Sequence, residues 1–209
     1  ILSIIFLLAF SLNARAQDEG GGFNHTKVSI GIKAGVNLSR LDGISWDGGF
    51  KANLLGGAWL SVHGKRFGIV LEGLFTQTDY VTGPGFDSIY HQYIRAGKDS
   101  IKNASFKLNY FNIPLLVEIR VLDRAWLQFG PQYSGVVSVE DKDEFVKDAE
   151  GLFKKGSIAG VAGLNVELTR HINLGARYIF GLSNVNNHYD QVAESWKRRD
   201  VQIHLGLRF

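Results

Sequence analysis

The chain of 209 residues accommodates one domain plus a leader, and its formal charge of +3 is too small to point to a polyanion, so no nucleic-acid partner is expected. It contains no cysteine, which excludes disulfides, thiolate metal sites and an acylated lipoprotein cysteine. It has 25 glycines and only 3 prolines, and its mean hydropathy of −0.02 looks soluble, but a barrel wall hides its hydrophobicity in alternation, so the average does not exclude a membrane protein.

Residues Ile1–Leu12 form an apolar run, followed by Ala14-Arg15-Ala16 and Gln17. This pattern reads as a signal-peptide hydrophobic region with an A-x-A cleavage site. The run is too short to cross a bilayer as a helix, which takes about 20 residues. No starting Met or basic segment precedes it, so residues 1–16 are expected to be a signal peptide truncated at its start. Cleavage would remove Arg15, taking the formal charge to +2. Residues 17–27 would remain as a short periplasmic leader, and residues 28–209 would form the folded domain.

Period-two alternation, the mark of a strand with one apolar face, then recurs along the chain. Strand one, Val28–Leu38, places Val28, Ile30, Ile32, Ala34, Val36 and Leu38 on one side. Strand two, about Gly49–Val62, does the same with Phe50, Ala52, Leu54, Ala58, Leu60 and Val62. Strand three, about Phe67–Thr78, presents Phe67, Ile69, Leu71 and Phe75. Strand four, about Ser105–Arg120, presents Phe106, Leu108 and Tyr110, then shifts by one residue to Ile113, Leu115, Val117 and Ile119. Such a shift predicts a β-bulge near Pro114.

Strand five, Ala125–Val139, presents Leu127, Phe129, Tyr133, Val137 and Val139. Strand six, Gly156–Leu168, presents Ile158, Ala162, Leu164, Val166 and Leu168. Strand seven, Ile172–Leu182, presents Ile172, Leu174, Ala176, Tyr178, Phe180 and Leu182. The last nine residues alternate without exception, with Val201, Ile203, Leu205, Leu207 and Phe209 on one face.

None of these apolar sets contains Asp, Glu, Lys or Arg. The opposite phase carries Lys33, Lys51, Glu72, Glu118, Arg120, Glu167, Arg177, His204 and Arg208 among many glycines. A lipid-facing Arg or Lys at mid-depth costs about 2–4 kcal/mol. The pattern therefore predicts an all-β, eight-stranded antiparallel up-and-down transmembrane β-barrel, greasy outside, with those nine residues as a structural charge network in the lumen. A soluble barrel would instead expose a densely charged outer face. Eight strands enclose only enough space for side chains to fill.

The connections alternate in length. His63–Arg66, Leu122–Arg124 and Thr169–His171 are short, whereas Ser39–Gly48, Asp79–Ala104, Glu140–Lys155 and Ser183–Arg198 are long. Short periplasmic turns opposite long external loops form the outer-membrane pattern. Directly paired residues must point the same way. That condition is met by a two-residue Gly64-Lys65 turn of type II′, and by three-residue turns enclosed by Val121 and Ala125 and by Leu168 and Ile172. Pro114 and Pro131 fall inside strands, where each removes a ladder hydrogen bond.

Several stretches resemble the PorT-like outer-membrane β-barrel family: Gly31-Ile32-Lys33-Ala34-Gly35-Val36-Asn37-Leu38-Ser39, Tyr110-Phe111-Asn112-Ile113-Pro114-Leu115-Leu116, Gly130-Pro131-Gln132-Tyr133, Arg177-Tyr178-Ile179-Phe180-Gly181-Leu182 and the ending Gly206-Leu207-Arg208-Phe209. The resemblance implies an outer-membrane barrel in contact with outer-membrane lipid, with no catalytic residues to carry over and no cofactor. It also implies a secretion-accessory role with secretion-system components as partners. The terminal Phe209 with its alternating neighbours resembles the signal read by the barrel-assembly machinery.

Other chemistry is sparse. Gly151–Ser157 lacks the lysine of a phosphate loop and precedes a strand rather than a helix. The six histidines show no metal-ligand spacing. Asp87, Ser88 and His91 share one long loop, and His188, Asp190 and Ser195 share another. Either set would be the basis for an alternative function, a lipid-modifying enzyme. A small ion-conducting barrel is the other alternative, since the inward charges could line a path. Phe86, Tyr90, Tyr93 and Ile94 stand out in the longest loop as a partner-contact patch.

Overall fold

The structure, a computed structural model, describes residues 26–98, 103–188 and 190–209. The expected signal peptide and all but the last two residues of the expected leader lie outside the described residues. Eight strands form: β1 (Lys27–Asp42), β2 (Lys51–His63), β3 (Phe67–Val81), β4 (Ser105–Leu122), β5 (Ala125–Asp141), β6 (Gly156–Glu167), β7 (Ile172–Gly181) and β8 (Lys197–Arg208). Each pairs antiparallel with the next, and β8 pairs back onto β1, closing the barrel. Closure leaves no open sheet edge, so the backbone polar groups of the wall are paired without help from water.

Alternation then sorts the side chains. Leu71 is 46% exposed while its neighbour Glu72 is 2% exposed. The same division runs round the wall, with Ile32, Leu54, Ile69, Leu115, Phe129, Ile158, Leu174 and Leu205 all on the outside. Glycines let the narrow interior close. A Cβ at Gly31 would run into the Trp59 ring, and one at Gly175 would overlap the His204 ring. The ring stacks against bare backbone in both cases.

Two of the three short connections differ from expectation. β2 and β3 pair Val62 with Ile69 and His63 with Gly68, and the Gly64 amide donates to the Phe67 carbonyl at 2.8 Å, so the tight turn is Lys65-Arg66, one residue beyond the expected Gly64-Lys65. Gly64 is not among the positive-φ glycines, so no type II′ turn forms there. Between β4 and β5, Leu122 pairs with Ala125 and Arg120 with Trp126. That is a two-residue turn with Val121 bulged out, in place of a three-residue turn. The third short connection holds: the Leu168 amide donates to the Ile172 carbonyl at 2.9 Å, and the Thr169 hydroxyl accepts from the amides of His171 and Ile172.

No bulge accompanies Pro114. The β3–β4 ladder runs to Leu71↔Leu115 and resumes in the same register at Leu74↔Asn112. Likewise the β4–β5 ladder is interrupted opposite Pro131, between Pro114↔Gln132 and Val117↔Phe129. Each proline thus opens a short gap in one ladder while its other side stays paired, Pro114 to β5 and Pro131 to β6. The register shift instead lies between Asn109↔Ser138 and Tyr110↔Val136, leaving Val137 as the extra residue on β5.

The expected outward set Phe106, Leu108 and Tyr110 is also corrected, because all three are buried inside the barrel. β4 keeps one phase from Phe106 to Glu118. What changes is the surroundings. At this end the outer face carries Lys107 and Asn109, paired across the ladder with Glu140 and Ser138. Lipid no longer covers the wall there, so the apolar side chains turn inward. Beyond the Val137 bulge, Val139 follows them and packs against the interior cluster rather than facing out.

An arginine at Leu71, in the aliphatic stretch of β3, is expected to cost about 2–4 kcal/mol of folding free energy in lipid vesicles. Urea titrations of the Leu71→Arg variant, read by intrinsic fluorescence, measure it, and an unchanged midpoint would contradict the lipid-facing assignment.

Candidate functional site

Register and alternation bring most of the expected inward charges together. Glu72 on β3 lies 2.6 Å from the Lys33 ammonium on β1 and 2.8 Å from the Arg177 guanidinium on β7. All three are buried. Arg177 Nε also donates to Gln202 Oε1 at 2.8 Å, and Gln202 donates to Asn37 Oδ1 at 3.0 Å. His204 Nε2 sits 3.3 Å from Lys33 Nζ. Glu118 is buried too, hydrogen-bonded to the His63 ring and to Gln128 Nε2. Nearer the short-turn end, Arg208 donates to Glu167 at 2.8 Å.

Two expected members stand apart. Lys51 begins β2 at the long-loop end and pairs with Asp47 at 3.6 Å, half-exposed, because the strand has left the lumen there. Arg120 is exposed at the short-turn mouth, where its guanidinium lies 4.8 Å from the centre of the Trp126 ring. Between mouth and network lies a cavity of about 10 Å³ bordered by Lys33, Trp59, Glu72, Glu118 and Asn165, room for about one water molecule. The mouth itself is a basin of about 220 Å³.

Several interior groups were not foreseen. Asn112 donates to Thr76 at 2.8 Å and accepts from Gln132 at 3.2 Å. Arg198 and Asp200 pair at 2.8 Å in full burial, with the guanidinium 3.9 Å from the centre of the Tyr110 ring. The amides were visible as inward-phase polar residues. Arg198 and Asp200 were missed because β8 begins four residues before the run of perfect alternation.

Above this layer the long loops fold into a cap. Helix α1 (Phe86–Tyr90), a 3-10 turn (His91–Tyr93) and helix α2 (Ala149–Leu152) are its regular pieces. Trp46 lies at the centre, with ring contacts to Tyr80, Phe86, Phe106, Phe153 and Trp196 at centroid distances of 5.0–6.1 Å. Edge-to-face pairs of this kind add about 0.5–1.5 kcal/mol each beyond area burial. The loops are also bridged: Trp46 to Thr82, Ile94 to Val146, Phe153 to Asn186. Glu194 accepts from the Ser45 amide at 2.8 Å and its hydroxyl at 2.6 Å. Burial, then the nearby Glu194 carboxylate, pushes the Tyr90 phenol up, and its oxygen accepts from Asn186 at 2.8 Å.

Phe86, Tyr90 and Ile94 are therefore not a partner-contact patch; they are buried, and only Tyr93 is half-exposed. Their loop cannot leave so much apolar surface in water when the barrel mouth offers an apolar floor. The two loop triads do not assemble among the described residues. The Ser88 hydroxyl donates to the Gly85 carbonyl at 3.0 Å, and the His188 ring stacks on Tyr93 at 4.4 Å. No group of three or more His, Cys, Asp or Glu able to hold a metal occurs among the described residues.

A family model described as "Outer membrane protein beta-barrel domain" matches residues 15–187. The chain belongs to this family. It is an outer-membrane protein, and the aliphatic outer wall is its lipid-facing surface. Comparison with curated proteins gives no match. Among solved structures it is similar to Ail, the attachment invasion locus protein of Yersinia pestis, at 17% identity and a TM-score of 0.46, covering 88% of this chain and 99% of that one. Neisserial surface protein A gives 12% identity and a TM-score of 0.47, covering 89% and 100%. AlkL in lipid bilayers gives 11% and 0.34, covering 94% of each.

Removing Glu72 leaves Lys33 and Arg177 buried without their shared counter-charge. Glu72→Ala is expected to destabilise the barrel by about 3–5 kcal/mol, whereas Lys51→Ala stays within about 0.5 kcal/mol. Denaturant unfolding of the two variants side by side tests this, and equal midpoints would remove the network's structural role.

Proposed function

We propose that this outer-membrane barrel acts without catalysis, as a structural, adhesive or secretion-accessory component that holds a rigid loop cap at the cell surface. The observation that carries this reading is the shared core of the cap. Trp46, Phe86, Phe145, Phe153 and Trp196 come from all four long loops and are buried in one cluster. A pre-ordered surface loses little conformational freedom on binding a partner. The charge-paired lumen, with its cavity of about 10 Å³, supports a plug rather than an ion path.

The PorT-like motifs support the secretion-accessory form of this role. Crosslinking in intact membranes followed by co-purification is the test. Secretion subunits recovered with the barrel are expected; a barrel recovered alone in repeated experiments would refute that form and leave a stand-alone surface role.

Residues 1–16 act in this reading as an export signal and 17–27 as a periplasmic leader. Val201, Ile203, Leu205, Leu207 and Phe209, on the outward phase that ends β8, serve as the signal for the barrel-assembly machinery. Intact-mass measurement of the protein from outer membranes should give a chain beginning at Gln17, and retention of residues 1–16 would overturn the export reading.

A further inference from the structure

The outer wall carries a charged feature, at the junction of β1 and β8, that neither the lumen nor the cap uses. Arg40 on β1 and Arg199 on β8 are direct ladder partners on the outward phase. On the far side of Arg199, its ladder partner on β7 is Phe180. On the far side of Arg40, the guanidinium lies 5.0 Å from the centre of the Phe50 ring. Two arginines therefore stand side by side between two aromatic rings. Aromatic residues of this kind girdle outer-membrane barrels where lipid meets water.

The neighbouring outward pairs fix the position further. One step toward the short-turn end is Leu38↔Val201, within the aliphatic belt. One step toward the long loops is Asp42↔Lys197. The guanidiniums thus occupy the last step before hydrocarbon gives way to water, on the external side.

Like charges directly opposite on neighbouring strands destabilise a sheet. Among the described residues, the carboxylate that pairs with both is Asp42. It accepts from Arg199 Nε at 3.0 Å and lies 3.1 Å from Arg40 Nε, which makes no well-aligned hydrogen bond. One carboxylate against Arg40, Arg199 and Lys197 leaves two positive charges in excess. Side-chain exposures of 35% for Arg40 and 26% for Arg199 show both laid along the wall rather than extended into solvent.

We propose that Arg40 and Arg199, with Lys197, bind the phosphate headgroup of a lipid in the outer leaflet, whose acyl chains run down over Leu38, Val201 and Tyr178. A guanidinium pairs with phosphate through two parallel N–H donors, a geometry that also suits a site opening sideways onto the bilayer. The phosphate supplies the negative charge that the opposed arginines lack. The lipid is the source because the ladder places both groups at headgroup level and over acyl-chain-facing residues.

The test uses the full mature chain folded in detergent and native mass spectrometry. It is titrated with lipid A, a bisphosphorylated glycolipid, with the same lipid stripped of its phosphates, and with inorganic phosphate. The phosphorylated lipid should bind, the stripped lipid should bind at least about tenfold more weakly, and equimolar inorganic phosphate should not displace the lipid. The double variant Arg40→Gln/Arg199→Gln should lose the same factor, with Arg40→Lys/Arg199→Lys intermediate. Lys65→Gln at the opposite rim should bind as the unaltered protein does. Equal affinity for the two lipids, or an unweakened double glutamine variant, would overturn the proposal. Displacement by inorganic phosphate would overturn the lipid as the source. Heat-modifiable gel mobility reports folding of each variant, and the single glutamine variants carry the same comparison if the double one does not fold.

Discussion

A wall that touches hydrocarbon along its middle and water above it has to reverse its polarity along its own length, and the rest of this structure follows from that reversal. In the middle, lipid covers the outside, so aliphatic residues face out and polar ones face in. Nearer the long loops, water covers the outside, so Lys107 and Asn109 face out while Phe106, Leu108 and Tyr110 face in. β4 accomplishes this without a change of phase, simply by exchanging which of its two faces is apolar. β5 uses a bulge at Val137, which turns Val139 inward over the same stretch.

The interior is consequently built in two materials. The lower lumen has to hold polar groups because the outward phase has taken the aliphatic residues, and a barrel of eight strands is too narrow to hydrate them freely. Desolvating an ion is expensive, and attraction to a single partner seldom covers the cost. Glu72 meets that difficulty by serving two cations, with Gln202, Asn37 and His204 around them. The upper lumen has an apolar lining and so accepts loop residues as a conventional core. Arg198 and Asp200 sit where the two materials meet, pairing as ions while the guanidinium covers the Tyr110 ring.

Much of this was legible in the alternation. Strand number, order, closure and the outward phase over the lipid-covered stretch could be read from residues two apart, and the inward positions of Lys33, Glu72, Glu118 and Arg177 followed. Turn geometry was not legible, because the test applied to it sees only odd and even. Pairing Val62 with Phe67 or with Ile69 satisfies that test equally, and a two-residue turn plus a bulge at Val121 mimics a three-residue turn. The burial of Phe106, Leu108 and Tyr110 was missed for a different reason. Alternation shows that one face is apolar, but what covers that face is a property of the whole assembly. Phe86, Tyr90 and Ile94 were misread on the same ground, since their partners Trp46, Phe145 and Trp196 come from loops distant in sequence.

The cap and the wall also constrain each other. Loops of this length would ordinarily be mobile, yet here each contributes buried rings to a core whose floor is the upper barrel. The floor exists only because β4 and β5 project past the lipid with their apolar faces turned in. Extended strands without loop residues over them would expose Phe106 and Leu108 to water, and loop residues without the floor would expose Trp46 and Trp196. Each half covers the other's apolar surface, so the strands' extra length beyond the bilayer and the aromatic content of the loops are one structural solution. Its direct consequence is an external cap whose buried rings are held by the barrel wall itself.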